Sequence, residues 1–552
     1  MSAPRGPDKS SNVSRVLVLG LDGGTFDLIQ PMIDSGRLPT LGRLVAEGAS
    51  GVLESTLPPV TIPAWVSMVT GKNPGKIGSF DLLRRVGYGV EPNCHSFGSA
   101  QPLWQTLNRY GIKTGMMNIP GTYPPEEVDG FMVTGMMTPS KRSHYSYPAS
   151  LGADLDSTVS DYQIDVQQWQ YFDEGAFVKD LYTVTEKRGK AAEYLIRQIP
   201  CEFYMIVFTS SDRLHHVLWN KMDIVWAYWE ELDSVIGRII QLLGEDTTVL
   251  VVSDHGFGEL RRTFFVNEWL GEKGFLVKKK KFNEKALVKI GKLIERSYRL
   301  LGERKLIRPI GNFLNKVVGG DMLQKFTYSY LHNAKLEGRV NWKKTKAFAC
   351  VHTPHFGNIY INTMGKMDNG CVPYGERNEI VSAIIHEFES MRDPDTGDRI
   401  LVEAHRAEDI YNGPHTGEAP DIVFILEEGR CEIDAKVGEN RLFAQGSPFT
   451  HWTGTHTKEG MFIAHGPGII PGYKVEKVEI TDVVPTILHI FGIPLSDELD
   501  GRVLNEIFEG NGAFPSRVET RDSEDEEDRE MELSEEEKAL IEERLRSLGY
   551  IS

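Results

Sequence analysis

The sequence predicts an α/β protein with a mixed, mostly parallel central sheet flanked by helices, plus a helical insertion acting as a cap or lid. Three observations predict it. Val16 to Leu21, Phe203 to Thr209 and Thr248 to Val252 are short, nearly continuous apolar runs. Such runs read as strands buried on both faces, the usual state of parallel strands. Segments that read as helices lie between them, among them Glu174 to Gln198 and the amphipathic stretch Val225 to Leu243. Each apolar run also stops at a polar cluster with an aspartate: Asp22, Asp212 and Asp254. Open α/β sheets bind ligands at the carboxyl ends of their strands.

Taken in order, Val16 to Leu21 leads into Asp22-Gly23-Gly24, where the glycines permit a tight turn. By itself Asp22 reads first as a cap for a helix over Phe26 to Ile33. Pro39 to Glu47 reads as a helix with Pro in its first turn and Gly48 as its stop. Gly51 to Leu57 is the next strand. Pro63 suits the first turn of another helix, which puts Thr61 at or just before a helix N-terminus. Free amides there favour an anion, although a plain Thr cap explains the same pattern. Ser99 to Arg109 and Lys113 to Asn118 form a helix and a strand, and Thr138 to Gln170 is a polar, irregular excursion over the sheet.

His216 lies four residues after Asp212, so on a helix the two share a face and can aim at one ion, while His215 points elsewhere. Asp254 and His255 both reach a site if the chain turns there. Three aspartates at equivalent strand ends make capping of all three the weaker explanation. Later strands are expected at Thr345 to Cys350 and Asn358 to Asn362, around a loop from His352 to Gly357, and at Asp421 to Leu426. Gly454-Thr455-His456-Thr457 reads as a polar loop whose histidine completes a metal site. Asp482 reads as a helix cap. Ser534 to Leu548 is a terminal helix with Glu537 in the capping-box position.

These segments suggest the following organisation: a disordered start (1–14), a first part of the catalytic domain (15–275), a basic helical insertion (276–340), the rest of the catalytic domain (341–510), an acidic linker (511–533) and a C-terminal helix (534–552). With 40% apolar and 25% charged residues, the 552-residue chain is globular. The net charge is −17, and Ser516 to Arg546 holds 14 acids against 6 bases. The body is therefore only mildly acidic, which argues against a nucleic-acid partner. Five scattered cysteines without metal-finger spacing read as reduced thiols in a cytoplasmic protein. No transmembrane run is present. The basic stretch Lys278 to Arg308 reads as a solvated lid, with an anionic membrane surface as the alternative. The C-terminal helix either docks or mediates oligomerisation.

Together Asp22, Pro58-Pro59-Val60-Thr61-Ile62-Pro63, Ser67-Met68-Val69-Thr70-Gly71, Asp212 with His216, Asp254-His255 and His456 resemble the alkaline phosphatase superfamily. The nearest branch looks like the type I phosphodiesterases and nucleotide pyrophosphatases. The resemblance implies an alkaline phosphatase-like fold and two divalent metal ions. Asp22, Thr61, Asp254 and His255 would hold one ion, and Asp212, His216 and His456 the other. Thr61 matches the family nucleophile. The Asp and His ligands suit Zn²⁺, with Mn²⁺ as the alternative. Two departures bear on nucleotide specificity: Ile77 precedes Gly78 where His is usual, and Trp65 replaces a smaller or polar residue.

The expected function is a metal-dependent phosphodiesterase or nucleotide pyrophosphatase working through a phosphothreonine on a phosphate ester or nucleotide-like small molecule. Alternatives on the same scaffold are a phosphomonoesterase, a phosphoryl-group transferase or mutase, and a non-catalytic binding protein.

Overall fold

The computed structural model describes residues 15–93, 97–98, 100–166, 173–279, 339–350, 353–448, 450–510, 517–518 and 533–547. Residues 280–338 of the expected cap or lid (276–340), His352, the whole start (1–14) and most of the acidic linker (511–533) lie outside the described residues.

The elements around the site begin with strand β1 (Arg15–Leu21), helices α1 (Phe26–Asp34) and α2 (Pro39–Glu47), strand β2 (Ala49–Glu54) and helix α3 (Thr61–Thr70). Strands β3 (Thr114–Ile119), β4 (Gly130–Thr134) and β5 (Ser146–Tyr147) follow, then helix α4 (Glu174–Gln198), strand β6 (Phe203–Phe208), helices α5 (Ser210–Leu218) and α6 (Met222–Leu243), and strands β7 (Thr247–Val252) and β8 (Gly256–Glu259). Beyond residue 338 come β9 (Ala347–Ala349), β10 (Gly357–Ile361), β11 (Val402–Arg406), β12 (Ile422–Leu426), β13 (Gly454–Thr457), β14 (Glu459–His465), β15 (Tyr473–Glu479) and helix α7 (Glu535–Ser547).

Nine strands form the central sheet in the order β15-β2-β14-β7-β1-β6-β3-β4-β5. The four strands β7-β1-β6-β3 at its centre run parallel, and β14 enters antiparallel beside β7. This is the expected mixed, mostly parallel α/β sheet. The apolar runs are continuous because both faces are covered. Leu17, Leu19 and Leu21 face the core built with α1, α2, α4 and α6, whereas Val16 and Val18 face the one built with α3. A smaller sheet, β9-β10-β12-β11, carries a third core.

Long-range contacts complete the local signals. The N-terminus of α2 has no cap of its own, and Asp233 from α6 accepts from Thr40 N (2.9 Å) and Leu41 N (2.8 Å). Those amides would otherwise be orphans of the first turn. The stretch 138–166 is more ordered than its polarity suggests. It adds edge strand β5 and a helix over Leu151–Val159, in which Leu151, Leu155 and Val159 are buried at helical spacing.

Lys279 N–H donates to Arg339 O (2.8 Å) and Asn341 N–H to Val277 O (2.8 Å), so the chain leaves and re-enters the body at adjacent points. At the other end of the sequence α7 begins with a capping box. Glu537 N–H donates to Ser534 Oγ, and Ser534 N–H donates to the Glu537 carboxylate. The helix docks on the body, burying Ile541 and Leu545, and Tyr123 Oη donates to Glu537 Oε1 at 2.7 Å. Among the described residues no helix is long and apolar enough to cross a membrane.

Candidate active site

Neighbouring strand ends deliver the three aspartates. In the registers of β6, β1 and β7, Leu21 lies opposite Phe208 and Gly20 opposite Val252, so the chains leave the sheet side by side. Asp22 N–H donates to Phe208 O, and Ser211 Oγ donates to Asp22 O, which locks the first two ends together. Gly23 adopts φ 69° and donates its amide to Asp254 Oδ1 at 3.3 Å. A Cβ there would sit 2.9 Å from the Phe257 ring, so this turn requires glycine. Asp22 caps nothing. Helix α1 is capped by Thr25, whose side chain accepts from Asp27 N.

The expected polar loop at 454–457 is instead strand β13, a correction to the sequence reading. It pairs antiparallel with β8, placing His456 opposite Phe257. The partner strand is two hundred residues away in sequence, which is why nothing local marks it. That pairing seats His456 Nε2 at 3.0 Å from Asp212 Oδ1 and 3.1 Å from His216 Nε2. His216 Nε2 lies 3.3 Å from the same oxygen, as the i,i+4 spacing on α5 allows. His255 Nε2 lies 3.2 Å from Asp254 Oδ2 and 3.5 Å from Asp22 Oδ1. The structure therefore brings Asp22, Asp212, His216, Asp254, His255 and His456 together, all fully buried.

Hydrogen bonding fixes the tautomers. Nδ1 of His216, His255 and His456 contacts the carbonyl oxygens of Gly454, Gly256 and Pro59 respectively. A carbonyl only accepts, so each Nδ1 carries the proton. In a neutral ring Nε2 is then a lone pair, the arrangement found in metal-bound histidines. With both rings neutral, the lone pairs of His216 and His456 converge on a carboxylate oxygen with no proton between them, which a cation relieves. Ligand separations of about 3.3 Å are expected around a tetrahedral ion with bonds of about 2.0–2.1 Å, close to the spacings here.

Thr61 is the first helical residue of α3 and not its cap, since Val60 occupies that position. Its Oγ1 is buried without a hydrogen-bond partner, as are Asp22 Oδ1, Asp254 Oδ2 and His255 Nε2. Buried polar atoms are nearly always satisfied. Four orphans, one from each residue assigned by resemblance to one ion, are therefore informative. Helix α3 touches the cluster twice: the Pro59 carbonyl just before it receives the His456 proton, and Trp65 Nε1 lies 3.4 Å from Asp22 Oδ2. The Trp65 ring lies directly against Gly20, where no Cβ fits.

Burial, then the charges of Asp254 and Asp212, push the Asp22 carboxyl well above its usual range. Burial and Asp212 do the same to Asp254. Burial acts upward on Asp212 too, but His216, His456 and Arg213 outweigh it and hold that carboxyl well below the usual range. Burial drives His255 well down, and takes His456 to about 4 against the pull of Asp212. The His255 and His456 imidazoles are thus neutral, as cation ligands must be.

Several residues escaped the sequence reading. His355 packs face to face on His456, with ring centroids 3.6 Å apart, and Trp452 stacks on His216 at 4.0 Å. Arg213 binds Asp212 Oδ2 at 2.5 Å and Asp165 at 3.2 Å, and Arg544 of α7 lies 3.7 Å from Asp165. His215 accepts from Trp229 Nε1 and belongs to the core, as expected from its direction on the helix. Asp482 accepts from Glu479 N and Arg502 N and serves structure.

The family model described as type I phosphodiesterase / nucleotide pyrophosphatase matches residues 16–433. The chain belongs to that family. Type I phosphodiesterases and nucleotide pyrophosphatases are hydrolases, and the match spans Asp22, Thr61, Asp212, His216, Asp254, His255 and His355, while His456 lies beyond it. Among solved structures, human ectonucleotide pyrophosphatase/phosphodiesterase 5 is 13% identical, covering 90% of this chain and 100% of its own, with a TM-score of 0.48. An inactive variant of the murine protein in complex with AMP is 12% identical over 87% of this chain and 95% of its own, with a TM-score of 0.46. No curated protein matches in sequence.

Proposed function

We propose that the protein is a two-cation phosphodiesterase or nucleotide pyrophosphatase with Thr61 as nucleophile. The observation that carries this is the set of four buried, unsatisfied atoms on Asp22, Thr61, Asp254 and His255. In this reading those residues hold one cation, and Asp212, His216 and His456 hold the other. Bound divalent cations supply Lewis-acid stabilisation of an alkoxide and of the departing oxygen. Zn²⁺ suits the imidazole-rich donor set best.

The chain's own residues do the rest. The Thr61 hydroxyl gives its proton to solvent, and its oxygen forms a bond to phosphorus as the ester or anhydride oxygen leaves with the bonding pair, the leaving group ionising or taking a proton from solvent according to its own acidity. Water then breaks the threonine–phosphorus bond and restores the hydroxyl, so the sum is hydrolysis. The first turn of α3 presents amides toward which a non-bridging oxygen is drawn. Arg213 pairs with Asp212 Oδ2, and the carbonyls at Nδ1 keep three imidazoles in one tautomer.

The test is a panel of phosphodiesters, nucleotide pyrophosphates and phosphomonoesters with Zn²⁺ or Mn²⁺, run on the wild type and on Thr61→Ala. Phosphodiester or pyrophosphate turnover, with ³²P trapped on Thr61 and none on the variant, is expected. Equal turnover by the variant, or label on another residue, defeats the assignment.

A further inference from the structure

Building on the two-cation reading, we propose that His355 is an additional protein ligand of the cation held by Asp212, His216 and His456. One candidate ligand atom from each of His216, His355 and His456 falls within a 4.8 Å group. The ring of His355 lies parallel to that of His456 at 8° and 5.1 Å from the ring of His216. Its Nδ1 is 3.1 Å from Thr455 Oγ1. With Nδ1 at that hydroxyl, which can accept or donate, Nε2 is the nitrogen assigned to the cation. Thr455 is next to His456 on β13, so one short strand places one ligand and orients the other.

The loop that bears His355 is built rather than loosely draped. Thr353 Oγ1 donates to Asp81 Oδ1 at 2.6 Å, and Pro354 O accepts from Ile433 N at 2.7 Å. Phe356 is fully buried, and Gly357 lies against the Phe424 ring with no room for a Cβ. A histidine pinned from both sides loses little freedom on ligation, the economy of a preorganised site. The alternative, a core histidine stacked on Trp452, accounts for the 5.4 Å stacking but not for a His355 ring nitrogen placed within one 4.8 Å group with those of His216 and His456. An extra imidazole also makes this position more selective for Zn²⁺ over Mg²⁺, because nitrogen donors favour the former.

The experiment measures Zn²⁺ binding by calorimetry on the full chain and on His355→Ala, without substrate. Two ions on the wild type, with the weaker one bound at least about 100-fold less tightly by the variant, is expected, since even outer-shell partners are worth about 10–100-fold. Two ions bound with unchanged affinities by the variant overturns the role of His355 and leaves the two-cation reading standing. Fewer than two ions on the wild type overturns both. Should the variant fold poorly, ¹¹³Cd-loaded, ¹⁵N-histidine-labelled wild type decides by itself. Coupling to four imidazoles is expected, and coupling to His216, His255 and His456 alone refutes the proposal.

Discussion

Replacing Asp22 by Asn should stabilise the protein without cations and destabilise it with them. Asp22 and Asp254 present ligand oxygens within a group no wider than 4.8 Å, and both side chains are fully buried. At an effective dielectric of 20, two unit charges that far apart repel by about 3.5 kcal/mol. Proton uptake relieves part of this, because both carboxyls are pushed well above their usual range. The gain in chelator on removal of one charge is therefore smaller than the bare repulsion between the two carboxylates. Asparagine keeps the shape and the oxygen near Trp65 Nε1 but gives up an anionic ligand. A cation at 100 times its dissociation constant adds about 2.7 kcal/mol to the wild type, an increment the variant largely forfeits. Thermal melts in chelator and in excess Zn²⁺ should thus rank the two proteins in opposite orders. If Asp22→Asn melts lower by the same amount in both conditions, the carboxylates are not an electrostatically strained cation site.

Other consequences are testable in the same way. Gly20→Ala places a methyl against Trp65 and 2.8 Å from Val207 Cγ2. It should cost about 1–3 kcal/mol by overpacking, and Trp65→Phe in the same chain should recover part of that in denaturant melts. Burial pushes the Asp81 carboxyl up to about 7 despite donors from Thr353 and Leu82. The folded protein then holds that proton more tightly than the unfolded chain, so the residue's contribution to stability falls as pH rises from about 4 to about 7 and is level above. Urea melts of Asp81→Asn should accordingly gain on the wild type across that interval, and parallel pH profiles would contradict it. Ile541→Ala removes a side chain of 1% exposure from under α7. Undocking by about 2–5 kcal/mol should appear as faster proteolysis of the C-terminal helix with the central sheet intact.

The aspartates were legible in the sequence because each ends an apolar run, and parallel strands advertise themselves by being apolar on both faces. The pairing of Asp212 with His216 was legible because helical spacing is a local property. What stayed hidden depends on distant partners. Gly454 to Thr457 carries no strand pattern of its own and becomes one through β8. The status of Thr61 as first helical residue rather than cap rests on the backbone of Val60. His355 sits in a loop without periodicity, and its meaning appears only when His456 packs against it. Nothing local in the sequence marks Arg213, which is fully buried and bound to Asp212.

Hydrogen bonds between 277 and 341 and between 279 and 339 make the body indifferent to the length of whatever joins those positions. Joining two fixed, adjacent ends through a longer segment costs only about 0.6 kcal/mol per doubling of its length. The junction therefore behaves as an exchange port. A protein engineer can graft a fluorescent reporter or an affinity handle there at little risk to the nine-stranded frame.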